Sequence, residues 1–209
     1  MARQRNARGE GSRLRDDLLA GAQRILERTG SEDDVTLRAV AREAGVSAPS
    51  IYAHFADSGA ILDALVQSAF EEFSALLRQA RDQAPSTDRL LAICQAYVSF
   101  GIEHPERYLT LFGRRRGAER DQLLAAGSFS FAGSKGAQAF AVLSDTIAES
   151  YGGTPESAIQ DATLLWAALH GYVTLRAGSP KFPWFAADDD ICRALVDRVA
   201  LVAHQREKE

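Results

Sequence analysis

The chain has little of what braces small secreted or metal-bound folds. Its two cysteines, Cys94 and Cys192, lie far apart in separate apolar segments, so they make no disulfide framework and no CxxC metal pair. Cysteines in such segments act as small buried hydrophobes. No run of 18 apolar residues occurs, and no membrane span is expected. The opening MARQRNARGEG is basic and lacks an apolar stretch, unlike a secretory signal. Together these absences read as a cytoplasmic protein. The marks of chemistry are missing too. His54, His104, His170 and His204 show no HExxH or other paired spacing. No GxSxG elbow occurs, and no glycine-rich phosphate loop follows a strand. No enzyme, metal or cofactor is expected. Period-two alternation is also absent, which argues against a sheet protein.

What is present is helix. The 209 residues are 46% hydrophobic and 25% charged, an ordinary globular composition, with length for one large or two small domains. Charge is uneven. Residues 1–15 carry Arg3, Arg5, Arg8, Arg13 and Arg15 against Glu10, a net +4 that leaves −8 on the rest. A basic arm on an acidic body suits contact with phosphate or plain solubilisation.

The periodicity gives a first helix with Leu14, Leu18, Ala22, Ile25 and Leu26 on one face, stopped at Gly30. Two short helices follow, capped by Thr36 and Ser47 and separated by Gly45. The first turns Leu37, Val40, Ala41 and Ala44 inward, and the second has Ile51, Tyr52 and Phe55 on its apolar side. A long helix opens at Asp57 or Ser58 and runs to about Pro85, with Phe70, Phe73, Leu76 and Leu77 in its stripe. Further helices are expected over 87–103, from Pro105, over 137–150 with Phe140 inward, over 155–177 behind Thr154-Pro155-Glu156, and over 188–204. The last buries Ile191, Leu195, Val199 and Val202. Residues 113–136 read as a broken helix or loop, with Arg114-Arg115-Arg116 as a solvated turn in preference to a site for an acidic effector or a partner.

The informative window is 36–55, TLRAVAREAGVSAPSIYAHF. Ala41 is small where two helices cross, Gly45 permits a sharp turn, and Val46 and Ile51 fix the pair to a core. Ala48, Pro49, Ser50, Ala53 and His54 point outward, with Tyr52 at the edge, and are short enough for close approach to a major groove. This window resembles the helix-turn-helix of the TetR (tetracycline repressor) family of bacterial regulators, and the likeness spans residues 13–62. It implies that Thr36 contacts phosphate, that Arg38 reaches a base edge, that Pro49, Ser50 and Tyr52 line the groove, and that His54 touches backbone or base. With Ser47 and Ala48 these form the candidate DNA-binding set. Many members carry Lys where this chain has Ala48 and Ser58.

Leu165-Trp166-Ala167-Ala168-Leu169-His170-Gly171 resembles the Trp-His-Gly motif of one C-terminal domain class of that family. The implied fold is all-α: a three-helix DNA-binding domain joined by a long helix to an effector-binding and dimerisation domain, about nine helices in all. The expected division is a flexible basic arm 1–12, a DNA-binding domain 13–57 and a C-terminal domain 58–209. Phe73, Tyr97, Phe100, His104, Tyr108, Phe112, Phe140 and Trp166 lie on helices that would surround one cavity. Such an apolar lining with few polar anchors suits a small hydrophobic effector. His170, four residues after Trp166, either faces that effector or is satisfied by a protein group. Two wide apolar faces, 155–177 and 188–204, point to a homodimer. The expected function is a ligand-responsive repressor of a palindromic operator. The alternative is an activator, or a redox sensor through Cys94 or Cys192. Deleting residues 1–12 should weaken binding to all DNA sequences and flatten the dependence of affinity on salt, by roughly one unit of slope for each phosphate the arm neutralises. An unchanged slope in a salt titration would show that the arm touches no phosphate.

Overall fold

The computed structural model describes residues 10–112, 135–179, 181–184 and 187–206. The expectations for arm residues 1–9 and for residues 113–134 of the broken segment, with its three arginines, lie outside these residues. The described residues form nine α-helices and two short 3-10 turns, with no strand. They divide into two compact units, up to Ser68 and from Ala69 onward.

The first unit is built on α1 (Glu10–Thr29), α2 (Leu37–Glu43), α3 (Ala48–Ile51) and the opening of α4 (Ser58–Gln83). Leu18, Ala22, Val40, Ile51 and Ile61 are fully enclosed in its core. The chain leaves α1 through Gly30 and α2 through Gly45, both at positive φ (65° and 71°), a conformation that costs glycine little. Thr36 caps α2, its Oγ1 accepting from the Ala39 amide at 3.2 Å. Ser47 stands at the start of α3 without capping it. Its hydroxyl is instead paired with that of Ser50 at 2.7 Å, which corrects the expected cap. Asp57 caps α4 by accepting from the Ala60 amide at 2.8 Å. Glu43 ties α2 to α1: its carboxylate accepts from Arg24 at 3.1 Å and from Arg28 at 3.4 Å. The hydrogen bond from Arg24 holds its pKa below the usual glutamate value.

The second unit is organised around α5 (Arg89–Glu103), which packs against α6 (Pro105–Phe112), α7 (Lys135–Tyr151), α8 (Pro155–Gly178) and α9 (Asp188–Arg206). Seven of its residues are buried, among them Ile93, Cys94, Tyr97 and Gly101. α8 begins with a capping box in which Thr154 and Ser157 exchange hydrogen bonds at 3.1 and 3.2 Å, satisfying two otherwise orphaned amides. Arg206 near the end of α9 grips Asp161 of α8 with both nitrogens, at 2.7 and 2.8 Å. Asp161 is only 5% exposed, so this bidentate pair compensates a buried charge. The α8–α9 connection is stapled by aromatic contacts. Trp184 packs edge-on to Tyr172 and beneath Arg176, and Asp188 accepts from the Tyr172 hydroxyl. Two apolar positions face outward against expectation, Leu76 and Val202, and Leu109 of α6 is exposed as well. Ile191 and Leu195 are half-buried rather than enclosed.

Gly101 marks the closest crossing of α5 with α8. A Cβ there would stand 2.4 Å from a methyl of Val173 and 3.1 Å from the Tyr108 ring. Valine is stiff at χ1 and cannot swing clear. Gly101→Ala is therefore expected to lower stability by about 1–3 kcal/mol through overpacking, read as a lower midpoint in urea denaturation. A raised midpoint would mean that the helices separate freely.

Candidate DNA-reading surface and aromatic cavity

The first unit presents α3 as a small, pre-ordered surface. Ile51 and Phe55 are buried and anchor it from below. Ser47, Ala48, Pro49 and Ala53 are exposed, Ser50 and His54 are half-buried, and Tyr52 is 58% exposed. Pro49 in the first turn removes an amide that would have no helical partner. The Ser47–Ser50 pair holds both hydroxyls beside the turn. Arg38 lies exposed on α2, and Thr36 is exposed at its cap. The candidate DNA-binding residues thus all belong to one small unit, where each is exposed or half-buried.

The sequence marks Arg15 only as part of a basic arm. Its guanidinium sits over the Phe55 ring, 5.4 Å from the centroid. That places a held cation beside the end of the α3 segment. A cation–aromatic pair leaves no spacing signature, so nothing in the residue pattern announces it.

In the second unit, a cavity of about 20 Å³ is lined largely by aromatic side chains among the described residues. Phe70, Phe73 and Leu77 come from α4, Tyr97 from α5 and Phe112 from α6. Gly136, Ala139, Phe140 and Leu143 come from α7, and Trp166 from α8. Phe73, Tyr97, Phe112, Phe140 and Trp166 belong to the set expected from the sequence. Phe70, Leu77 and the small residues of α7 do not, because periodicity marks them only as core. The other candidates stand off the wall. Phe100 packs on Phe73 with centroids 5.0 Å apart, and His104 leans on Phe100 with its ring tilted at 59°, at the exposed α5–α6 junction. Tyr108 and His170 lie behind Phe112.

A chain of polar groups crosses this aromatic cluster. The Tyr97 and Tyr108 hydroxyls are 3.0 Å apart, and the Tyr108 hydroxyl is 2.7 Å from His170 Nδ1. His170 therefore has a protein partner. Burial lowers its pKa from the usual histidine value, so the ring is neutral at pH 7. Burial pushes the Tyr108 phenol up to about 12 and the Tyr97 phenol further still, so both hydroxyls keep their protons. Among the described residues no cluster of His, Cys, Asp and Glu is arranged to hold a metal ion. No described helix is long and apolar enough to cross a membrane.

A short helix on a glycine turn, set on a three-helix core and followed by an all-α unit with an internal aromatic cavity, defines a helix-turn-helix regulator. Comparison with known proteins agrees. Residues 18–65 match the model described as bacterial regulatory proteins, tetR family, and residues 90–199 match that of the tetracyclin repressor-like C-terminal domain. An uncharacterised HTH-type transcriptional regulator of Mycobacterium tuberculosis is 30% identical over 163 residues, covering 77% of this chain and 69% of its own length. A structure of unknown function from Rhodococcus sp. RHA1 is 31% identical, with a TM-score of 0.71 over 90% of this chain and 94% of that one. A TetR-family regulator from Streptomyces coelicolor, 18% identical, shares the fold with a TM-score of 0.64 over 90% of this chain and 98% of its own. The chain belongs to the TetR family of bacterial transcriptional regulators: DNA-binding proteins, not enzymes.

Both thiols are unsuited to sensing oxidants. Burial raises the Cys94 thiol far above its usual pKa and pushes Cys192 up to about 12, and the thiolate is the reactive form. In the native protein both should react with a water-soluble disulfide reagent much more slowly than in urea. Equal rates in the two states would restore the redox alternative.

Proposed function

We propose that this regulator is a homodimeric repressor that holds a palindromic operator and leaves it when a small hydrophobic effector enters the aromatic cavity. The functional division that goes with this reading is a basic arm 1–12, a DNA-binding domain 13–57 and an effector and dimerisation domain 58–209. Thr36, Arg38, Ser47, Ala48, Pro49, Ser50, Tyr52 and His54 are its DNA contacts. Repression, release and the dimer are inferences from the arguments that follow.

The observation that carries the reading is the cavity. Its described lining is apolar and aromatic, and its volume is about 20 Å³. That is room for about one water, where small-molecule sites span about 300–1,000 Å³. An effector therefore binds only when the aromatic walls part. A ligand that binds one state and not the other shifts the balance between them. Phe70, Phe73 and Leu77 of that wall belong to α4. The first turns of the same helix carry Ile61, Leu62 and Leu65 into the core behind α3. Displacement of α4 is the step we assign to release.

The dimer is argued from an uncovered stripe. On α8, Leu164, Ala168, Gly171 and Leu175 recur at spacings of four, three and four. Leu164 is 69% exposed and Leu175 also faces outward. A Cβ at Gly171 would meet nothing within 4 Å, so a second helix can come close there. Leu201 and Val202 add exposed apolar surface on α9. Two-fold pairing is the default for such a face. A dimer carries two α3 segments, and its target would be a palindrome whose half-sites lie about 34 Å apart, one helical turn of DNA.

Footprinting on the DNA flanking the protein's own gene, with a salt series, tests the reading. A protected palindrome of two half-sites, with affinity falling steeply as salt rises, is expected. Binding that protects no stretch, or protects a single half-site, would overturn the dimeric repressor of that locus.

A further inference from the structure

We propose that Tyr97 selects the effector, and that the cavity takes a neutral, apolar molecule carrying one hydroxyl group. This rests on the reading of the cavity as the effector site.

The described lining holds no charged side chain, and Tyr97 supplies its one hydroxyl. A carboxylate or ammonium placed there would lose its hydration with no opposite charge to meet it, a cost of several kcal/mol. The described lining therefore favours a ligand with an apolar body and an uncharged polar group.

The polar group is defined by the hydrogen-bond chain. Tyr97 is joined to Tyr108 at 3.0 Å, and Tyr108 to His170 Nδ1 at 2.7 Å. Neutral histidine carries its proton on one nitrogen or the other, and a tyrosine hydroxyl has one proton and two lone pairs. With the proton on Nε2, Tyr108 donates to Nδ1 and Tyr97 donates to Tyr108. Tyr97 then offers a lone pair. With the proton on Nδ1, the chain runs backward, and Tyr97 offers its proton. A ligand hydroxyl both donates and accepts, so it satisfies Tyr97 in either direction. A carbonyl satisfies only one. The indole N–H of Trp166 also bears on the Tyr97 oxygen, which leaves room for one further small polar group and no more.

The test is calorimetric titration of the full chain, and of its Tyr97→Phe variant, with three ligands at pH 7: 2-naphthol, 2-methylnaphthalene and 2-naphthoate. The naphthol should bind the unaltered chain about tenfold more tightly than the hydrocarbon, the worth of one good hydrogen bond. The naphthoate should bind more weakly than either. In Tyr97→Phe the naphthol should fall to the level of the hydrocarbon while the hydrocarbon is unchanged, which also shows that the variant folds. Equal binding of naphthol and hydrocarbon to the unaltered chain would overturn the selection by Tyr97, as would an equal loss of both in the variant. Tightest binding of the naphthoate would overturn the neutral class. In each of these cases the cavity still takes apolar ligands. Binding of none of the three would remove the cavity as the effector site, and this inference with it.

Discussion

Close packing around α5 is the constraint on which the second unit depends. Four other helices press on this one, and its buried face has no room for variation. At Gly101 the fit is a missing methyl: Val173 and Tyr108 occupy the space that any other side chain would need. That approach brings α6 and α8 close enough for Tyr108 to reach His170, which is 62 residues further along the chain. The same packing places Tyr97 against Phe73, with ring centroids 5.3 Å apart. The cavity is the small remainder that the aromatic rings of its wall leave among themselves. Interiors are packed as densely as organic crystals, so such a remainder exists only where rings of fixed shape meet at an angle. The edge-on pairs Phe70–Phe112 and Phe140–Trp166 are of that kind.

Much of this is legible from residues alone, for definite reasons. Helix starts and stops are legible where local chemistry decides them: Thr36, Thr154-Pro155, Gly30 and Gly45 act through their own backbone or cap. The helix-turn-helix is legible because its short elements force small and apolar residues into fixed places. Facing is less legible. An apolar stripe says that a helix is covered, not by what, and so it does not reveal that Leu76, Leu109 and Val202 face outward. The cavity is half legible. Its aromatics stand out by type, while Ala139, Gly136 and Leu143 look like any packed residues. The Ser47 hydroxyl illustrates the limit of local rules. A serine at a helix start usually caps, yet Ser50 offers a nearer partner at 2.7 Å.

The first unit resolves a tension between reach and charge. A short helix that enters a groove needs small side chains on its tip, and Ala48, Pro49 and Ala53 supply them. The same choice leaves no cation on the α3 segment, whereas phosphate contacts dominate affinity for DNA. The charge sits on neighbouring elements instead. Arg38 and Arg42 are exposed on α2, Arg13 and Arg15 on α1. Arg24 and Arg28 are unlike these, because Glu43 engages both and stitches α1 to α2. Arg15 is the special case: a guanidinium over Phe55 keeps its full charge while losing part of its freedom. A cation ordered in advance has less conformational entropy to lose on meeting a phosphate.

A nearly filled cavity suits a switch better than an open one. An open site can take a ligand without moving anything, and a ligand that binds both states equally shifts nothing. In the proposed switch the walls part to admit anything larger than water, so that binding and displacement would be one event. The resistance to that event is aromatic contact among Phe70, Phe73, Tyr97 and Phe112, each pair contributing about 0.5–1.5 kcal/mol beyond burial. A ligand ring can replace those contacts with its own, which returns much of what parting the walls costs. A ligand without rings or bulk replaces fewer of them. The polar chain adds direction to this exchange. Tyr97 lines the cavity and His170 lies half-buried at the chain's other end, so a group bonded to the first would also fix the proton on the second. In the proposed switch, then, shape sets whether the walls open, and the hydroxyl of Tyr97 sets for what.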